Sequence, residues 1–224
     1  MLSVRMTLSR PEAVLLEAVD RFGEERLALA ASWQKETAVL VDLVLRHAPR
    51  ARIFTLDTGV LFEQTYATWR AVEQRYGITV ESYRGDWEHG LWAAEPDRCC
   101  AMRKVEPLRR ALEDADCWIS GVRRDQSPDR ARTEELDWDE GHGLWKANPL
   151  ATWSERDVWA YVNRHQLPYN PLHDQGYSSI GCTPARFPGS GARAAGPASR
   201  RASAGSTRRS RAFGARPASR PIRP

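Results

Sequence analysis

The chain has 224 residues, with 33 Lys and Arg against 29 Asp and Glu, four Cys and nine Trp. That length suits one domain with a substantial core, and no run of about 18 apolar residues exists to make a helical membrane span. Ten of the basic residues, all Arg, fall in residues 185–224, which hold no Lys, Asp or Glu, so residues 1–184 carry 23 basic against 29 acidic side chains, a net of −6. The body is mildly acidic and carries no basic footprint for nucleic acid.

The start, "MLSVRMTLSRPEAVLLEAVDRFGEE", lacks the continuous apolar stretch of a signal peptide. This predicts a cytoplasmic protein, in which cysteines serve catalysis, metal binding or packing rather than disulfides. "RPEAVLLEAVDRFG" has the apolar spacing of an amphipathic helix with Gly23 as its stop. "RLALAAS" is a short apolar run that fits a buried strand. "ETAVLVDLVLRHA" reads as a helix with an acidic first turn, and "ARIFTLDTG" as a strand running into Asp57-Thr58-Gly59. "FEQTYATWRAVEQRYG" is a helix, "ITVESY" a strand, and "CCAMRKVEPLRRALEDA" a helix that Pro107 bends or restarts. "CWISGV" is a strand, and "SERDVWAYVNRHQ" a helix opened by a Ser154/Asp157 capping-box spacing.

This alternation predicts an α/β domain over residues 1–184, a mostly parallel sheet with helices on both faces. Residues 185–224 form a low-complexity Arg/Ala/Pro/Gly/Ser tail expected to be disordered. Ligands in such sheets sit at the carboxyl ends of strands near a topological switch point. Three polar turns follow predicted strands there: "SWQKET", "DTG" and "GVRRDQSPDR".

In the first turn, Ser32, Gln34 and Lys35 at a helix start suit an anion, although polar strand-to-helix turns are commonplace and the Walker A glycines are missing. In the third, Arg123, Arg124, Arg130 and Arg132 share one loop with Gln126 and Ser127. Planar guanidinium forks fit phosphate or sulfate; the competing reading is a solvated loop held by Asp125 and Asp129.

Cys99 and Cys100 are adjacent, and Lys104 lies one helical turn after Cys100. The pair either packs as small apolar residues or reaches a multi-iron cluster. Cys182 in "SIGCTPA" tilts the balance, since Cys-x-x-Cys turns supply two thiolates. This chain offers Cys-Thr-Pro-Ala, with Ala185 in the second place. Cys117 is read as a buried strand residue. His89, His142 and His165 show no ligand spacing, and His173 in "PLHDQG" is expected to orient the loop before Cys182.

Together, "SWQKET", "FTLDTG", "CCAMRKVEPL", "GVRRDQSPDRAR", "NPLATWSERDVWAYV" and "YNPLHDQGYSSIGC" resemble the assimilatory sulfonucleotide reductases over about residues 25–184. The resemblance implies a Rossmann-like, adenine-nucleotide α-hydrolase fold with "SWQKET" at the phosphate loop. It implies a 4Fe–4S cluster on Cys99, Cys100 and Cys182, and the vicinal pair points to the type that uses adenosine 5′-phosphosulfate. The substrate-binding candidates are Ser32, Gln34, Lys35, Asp57, Thr58, Lys104, Arg123, Arg124 and Arg130. The implied reaction is thiolate attack on the sulfate sulfur, loss of AMP, and release of sulfite by thioredoxin or a similar dithiol.

The chain departs from the family in two ways. The fourth cluster cysteine falls at Ala185, and no Glu-Cys-Gly-Leu-His-like segment with the attacking cysteine is present, so no catalytic residue is assigned. The tail composition is what out-of-frame reading of a GC-rich gene gives, and a frameshift after codon 184 is expected. The alternatives are a basic tail that binds nucleic acid, a reductase of the 3′-phosphorylated nucleotide, a non-catalytic nucleotide binder and an ATP-pyrophosphatase. Trp33-Gln34, in place of a glycine-rich loop, argues against the last.

Overall fold

A computed structural model describes residues 9–86 and 90–185; His89 and the expected tail beyond residue 185 lie outside them. Among these residues no helix is long and apolar enough to cross a membrane. The first helix, α1 (Arg10–Phe22), opens with Glu12 accepting from the Ser9 N–H at 2.7 Å and closes at Gly23. The strand β1 (Leu27–Ala31), helix α2 (Lys35–His47), strand β2 (Arg52–Leu56), helix α3 (Glu63–Tyr76) and strand β3 (Glu81–Tyr83) follow in strict alternation. Two short helices, α4 (Leu91–Ala94) and α5 (Pro96–Cys100), run into a π-helical turn (Ala101–Val105) and then α6 (Glu106–Ala111). After β4 (Cys117–Ile119) come the hairpin strands β5 (Leu136–Asp139) and β6 (Leu144–Ala147), and then α7 (Glu155–Arg164), whose Ser154/Asp157 capping box forms as the spacing predicts.

The six strands lie in the order β3-β2-β1-β4-β6-β5, parallel except for the edge strand β5. The chain builds outward from β1 to β3, then returns to the other side of β1 with β4. This makes the β1/β4 boundary the switch point, where ligands of open α/β sheets bind.

The period of two along the strands divides the core. Leu27, Leu29, Ala31 and Ile53 pack with Leu15 of α1, Val39 and Leu43 of α2, Val72 of α3 and Val158 and Val162 of α7. Ala28 and Phe54 face the other way, onto Ala111, Leu112 and Leu144. Helices therefore cover both faces, as expected. The hairpin β5–β6 is a strand pair that the sequence reading did not include.

At the switch point the backbones crowd. A Cβ on Gly121, just past β4, would stand 2.8 Å from Cβ of Glu36 in the first turn of α2 and 3.6 Å from Leu40 Cδ1. Gly121→Ala is therefore expected to cost about 1–3 kcal/mol, read as a lower denaturant midpoint at unchanged slope. A midpoint equal to that of the parent would contradict the close approach.

Candidate functional site at the ends of the parallel strands

The loops after β1, β2, β3 and β4 leave the same edge of the sheet, because those strands are parallel. Two of them are tied by buried charge. Arg123, 3% exposed, donates from Nε to Glu36 Oε1 at 3.0 Å and from a terminal nitrogen to Asp125 at 2.5 Å. Gln126 also donates to Glu36 Oε1 at 3.3 Å. Asp125 in turn accepts from the Glu155 N–H at the start of α7 at 2.9 Å. Glu155 holds the Lys35 ammonium at 2.8 Å, and the Lys35 side chain is 5% exposed.

These contacts form a ring that links the start of α2, the arginine loop and the start of α7. In this arrangement Arg123 is the partner of two carboxylates, and Lys35 carries one. Arg124 is likewise held by the loop itself, through Nε to Thr133 O at 2.8 Å and a 3.9 Å approach to Glu134. Arg130 is exposed and bonds to Gln126. Ser32 is exposed, with its N–H and hydroxyl both on Thr37 Oγ1 at 3.1 and 3.2 Å.

The segment that carries Cys182 lies across the ends of β1 and β2, held at several points. Asn170, fully buried, donates to Thr65 at 3.0 Å. Gln34 Oε1 accepts from the Ile180 N–H at 3.4 Å, and Thr183 N–H donates to Val60 O at 2.8 Å beside a Leu61–Cys182 bridge. His173 Nε2 accepts from the Lys35 N–H at 3.2 Å, so Nδ1 carries the proton that goes to Tyr177 O at 2.8 Å. Both ring nitrogens are thus engaged in the neutral tautomer. Burial lowers the pKa of His173, opposed by the bond to Tyr177 and reinforced by Lys35. As the sequence reading expected, His173 orients the loop before Cys182.

Asp57, 3% exposed, is an acceptor for Gly59 N–H at 2.9 Å, Tyr66 OH at 2.7 Å and Arg84 Nε at 2.8 Å. Burial alone would raise its pKa, but these bonds outweigh it and the net direction is down. Thr58 meets Cys182 Sγ through its hydroxyl at 3.3 Å, and its carbonyl accepts from Arg103 at 3.3 Å. The turn after β2 is therefore the floor on which Cys182 rests.

Cys99 is buried and Cys100 half-buried, at the end of α5. Burial pushes the Cys99 thiol up; Arg103 pulls it back, Cys100 and Cys182 push it further, and Lys104 opposes them. Cys100, Cys182, Arg103 and Lys104 are therefore electrostatic neighbours of Cys99. Among the described residues no three His, Cys, Asp or Glu side chains stand close enough to share a single metal ion.

Arg103, 2% exposed, is a residue the sequence reading did not single out. It lies in the π-turn, which packs so closely on Gly85 that a Cβ there would fall 1.8 Å from Met102 O. Cys117 is fully buried within β4, and burial pushes its thiol up to about 12.

The sequence matches the family of the phosphoadenosine phosphosulfate reductase domain over residues 26–188, and the chain belongs to that family. It is 44% identical over 186 residues to adenosine 5′-phosphosulfate reductase 1 of Bacillus subtilis, covering 79% of each chain. It is 43% identical over 184 residues to a phosphoadenosine 5′-phosphosulfate reductase of Gloeobacter violaceus, covering 78% of this chain and 76% of that one. Among solved structures, a phosphoadenylyl-sulfate reductase from Candida auris, in a phosphate complex, superposes with a TM-score of 0.72 at 28% identity, over 82% of this chain and 93% of the other. An FMN adenylyltransferase from Candida glabrata shares the fold alone, at a TM-score of 0.63 and 13% identity. The architecture is thus the adenine-nucleotide α-hydrolase-like sheet expected from the sequence.

A histidine with a depressed pKa stabilises the fold as its neutral form. That contribution is complete above its unfolded value of about 6.5 and is lost as pH falls below it. Amide protection at Lys35 and across residues 170–183 is therefore expected to fall between pH 7.5 and 5.5, beyond the intrinsic exchange chemistry. In His173→Gln that pH dependence is expected to vanish. Protection in the parent that does not change over this range would overturn the bond assignment at His173.

Proposed function

We propose that the crevice at the β1/β4 switch point binds adenosine 5′-phosphosulfate, with Cys99, Cys100 and Cys182 as the ligands of a 4Fe–4S cluster beside it, and that the site belongs to the thioredoxin-dependent reduction of this nucleotide to sulfite and AMP in the cytoplasm. The observation that carries this reading is the seat of Cys182, 3.3 Å from the hydroxyl of Thr58, whose carbonyl accepts from Arg103, the cation that also acts on the Cys99 thiol. The donor set suits such a group. Its chemistry is three soft thiols, with Arg103 and Lys104 opposing the burial that raises the Cys99 thiol. A cluster bound there supplies a fixed local field beside the substrate anion. Position 185, where a fourth cysteine would complete the set, is alanine.

The reaction balances as a two-electron reduction. A thiolate attacks the sulfate sulfur; an S–S bond forms as the S–O bond to AMP breaks. A dithiol then attacks the thiosulfonate, sulfite leaves with the electron pair, and the dithiol ends as a disulfide. Within this chain Cys117 is sealed in the sheet, and the other three cysteines are committed as ligands. With no Glu-Cys-Gly-Leu-His-like segment in the sequence, this polypeptide holds the nucleotide without its attacking thiol. The composition of residues 185–224, with ten Arg and no Lys, Asp or Glu, supports a shifted reading frame as its origin. An alternative frame from about codon 185 that encodes a second cysteine and a terminal Cys-Gly segment is the expected finding in the gene; its absence would sink that account.

The Gloeobacter violaceus and Candida auris relatives are named for the 3′-phosphorylated substrate, which favours that nucleotide as the second reading. Calorimetry on the full chain is expected to give tighter binding of adenosine 5′-phosphosulfate than of its 3′-phosphorylated form; the reverse order selects the second reading. After anaerobic reconstitution with iron and sulfide, a brown absorbance is expected that is lost in Cys99→Ser and Cys182→Ser. Sulfite formation with thioredoxin is expected to lie at least about 10³-fold below that of a relative bearing the terminal cysteine, within the loss that removal of a nucleophile causes. Normal turnover by this chain refutes the impairment, and failure to bind either nucleotide refutes the reading.

A further inference from the structure

The Lys35–Glu155 pair is lopsided. The ammonium is buried, with 5% of the side chain exposed, whereas the Glu155 side chain is 58% exposed. A buried ammonium needs a counter-charge at hydrogen-bond distance, because desolvation otherwise costs several kcal/mol. The acid next to Lys35 in sequence, Glu36, is 5% exposed and already committed to Arg123 and Gln126. The other neighbour, His173, is held neutral and offers no negative charge. Glu155 is thus the carboxylate that Lys35 has, and it lies on the solvent side of the ammonium. Its own pKa is lowered, first by the bond to Lys35. The Glu155 carboxylate meets Lys35 and Trp159, whereas its tie to Asp125 runs through the backbone N–H. Its side chain can swing into water without breaking the Arg123–Glu36–Asp125 contacts.

We propose that Glu155 is a stand-in anion: its carboxylate occupies Lys35 until an anionic group of the nucleotide takes its place, so that Glu155 sets the affinity for anionic ligands by competing with them. The inference rests on the crevice reading given above and adds a residue to it. The exchange trades one anion for another on the same ammonium and leaves the buried charge balanced throughout. Neutral ligands gain nothing from the exchange.

The test uses the full chain, with Glu155→Gln as the variant, which removes the charge and keeps the shape and the α7 backbone. Adenosine 5′-phosphosulfate and AMP are expected to bind the variant 3- to 10-fold more tightly, with adenosine unchanged. Inorganic sulfate is expected to raise the melting temperature of the variant more than that of the parent. In the Lys35→Met background the Glu155→Gln gain is expected to disappear, which a merely structural role for Glu155 would not produce. If the parent binds the nucleotide and Glu155→Gln leaves affinity unchanged or weaker, the stand-in role is overturned and the crevice reading survives. If no nucleotide binds either protein but sulfate favours the variant, the crevice reading fails and the stand-in role survives. If neither nucleotide nor sulfate favours the variant, the stand-in role is overturned.

Discussion

The crevice is governed by a shortage of buried negative charge. At the β1/β4 boundary two cations, Lys35 and Arg123, are almost wholly removed from water, and among the described residues the one comparably buried acid beside them is Glu36. Burial of an unmatched charge costs far more than a hydrogen bond returns. The fold therefore recruits Asp125 from the arginine loop and Glu155 from α7. This requirement ties three chain segments that are remote in sequence, and it adds to the Tyr161–Asp42 bond that holds α7 on α2. The walls of the crevice are thus set by electrostatic necessity as much as by the core beneath them.

The same edge of the sheet brings Cys182 into the electrostatic surroundings of Cys99. The parallel order places the ends of β1, β2 and β4 side by side, and residues 170–183 cross them as a strap. Asn170, His173 and the Leu61–Cys182 bridge pin that strap to α3, to α2 and to the turn after β2. The vicinal pair arrives from the other side, on the helix that ends in the π-turn. A proline ring clashes with the carbonyl four residues earlier and offers no N–H. For Pro107 that residue is Arg103, so the widened turn at Ala101–Val105 is where the chain relieves the clash. The irregularity thus falls next to the thiols and turns Arg103 inward.

Much of this architecture was legible because local pattern and tertiary role agree. The 3.6-residue period of α1, α2 and α7, the capping box at Ser154 and the apolar runs of β1, β2 and β4 each predict the element that forms. The hairpin β5–β6 was not legible, because "LDWDEGHGLWKA" alternates acids with tryptophans on a half-exposed edge and gives a weak apolar signal. At the site, residue types were readable and pairings were not. Arg123 looks like an anion fork until Glu36, 87 positions earlier, is known to lie 3.0 Å away. Glu36 itself reads as an ordinary acid in the first turn of a helix, a signal that α2 would carry whether or not an arginine packed against it.

The four cysteines make the general point. Residue type alone assigns them the same chemistry, and the sheet separates them. Cys117 points into the core from β4 with no exposed surface, and burial keeps it a thiol at any physiological pH. Cys99 is also buried, yet Arg103 and Lys104 counter the desolvation and the repulsion from two neighbouring sulfurs. A thiolate is favoured only where burial is incomplete or a cation offsets it; at Cys99 the cations oppose burial without reversing it, and the net direction stays up. The buried cations Lys35, Arg103 and Arg123 gather at the carboxyl end of the parallel strands, beside the turns after β1, β2 and β4.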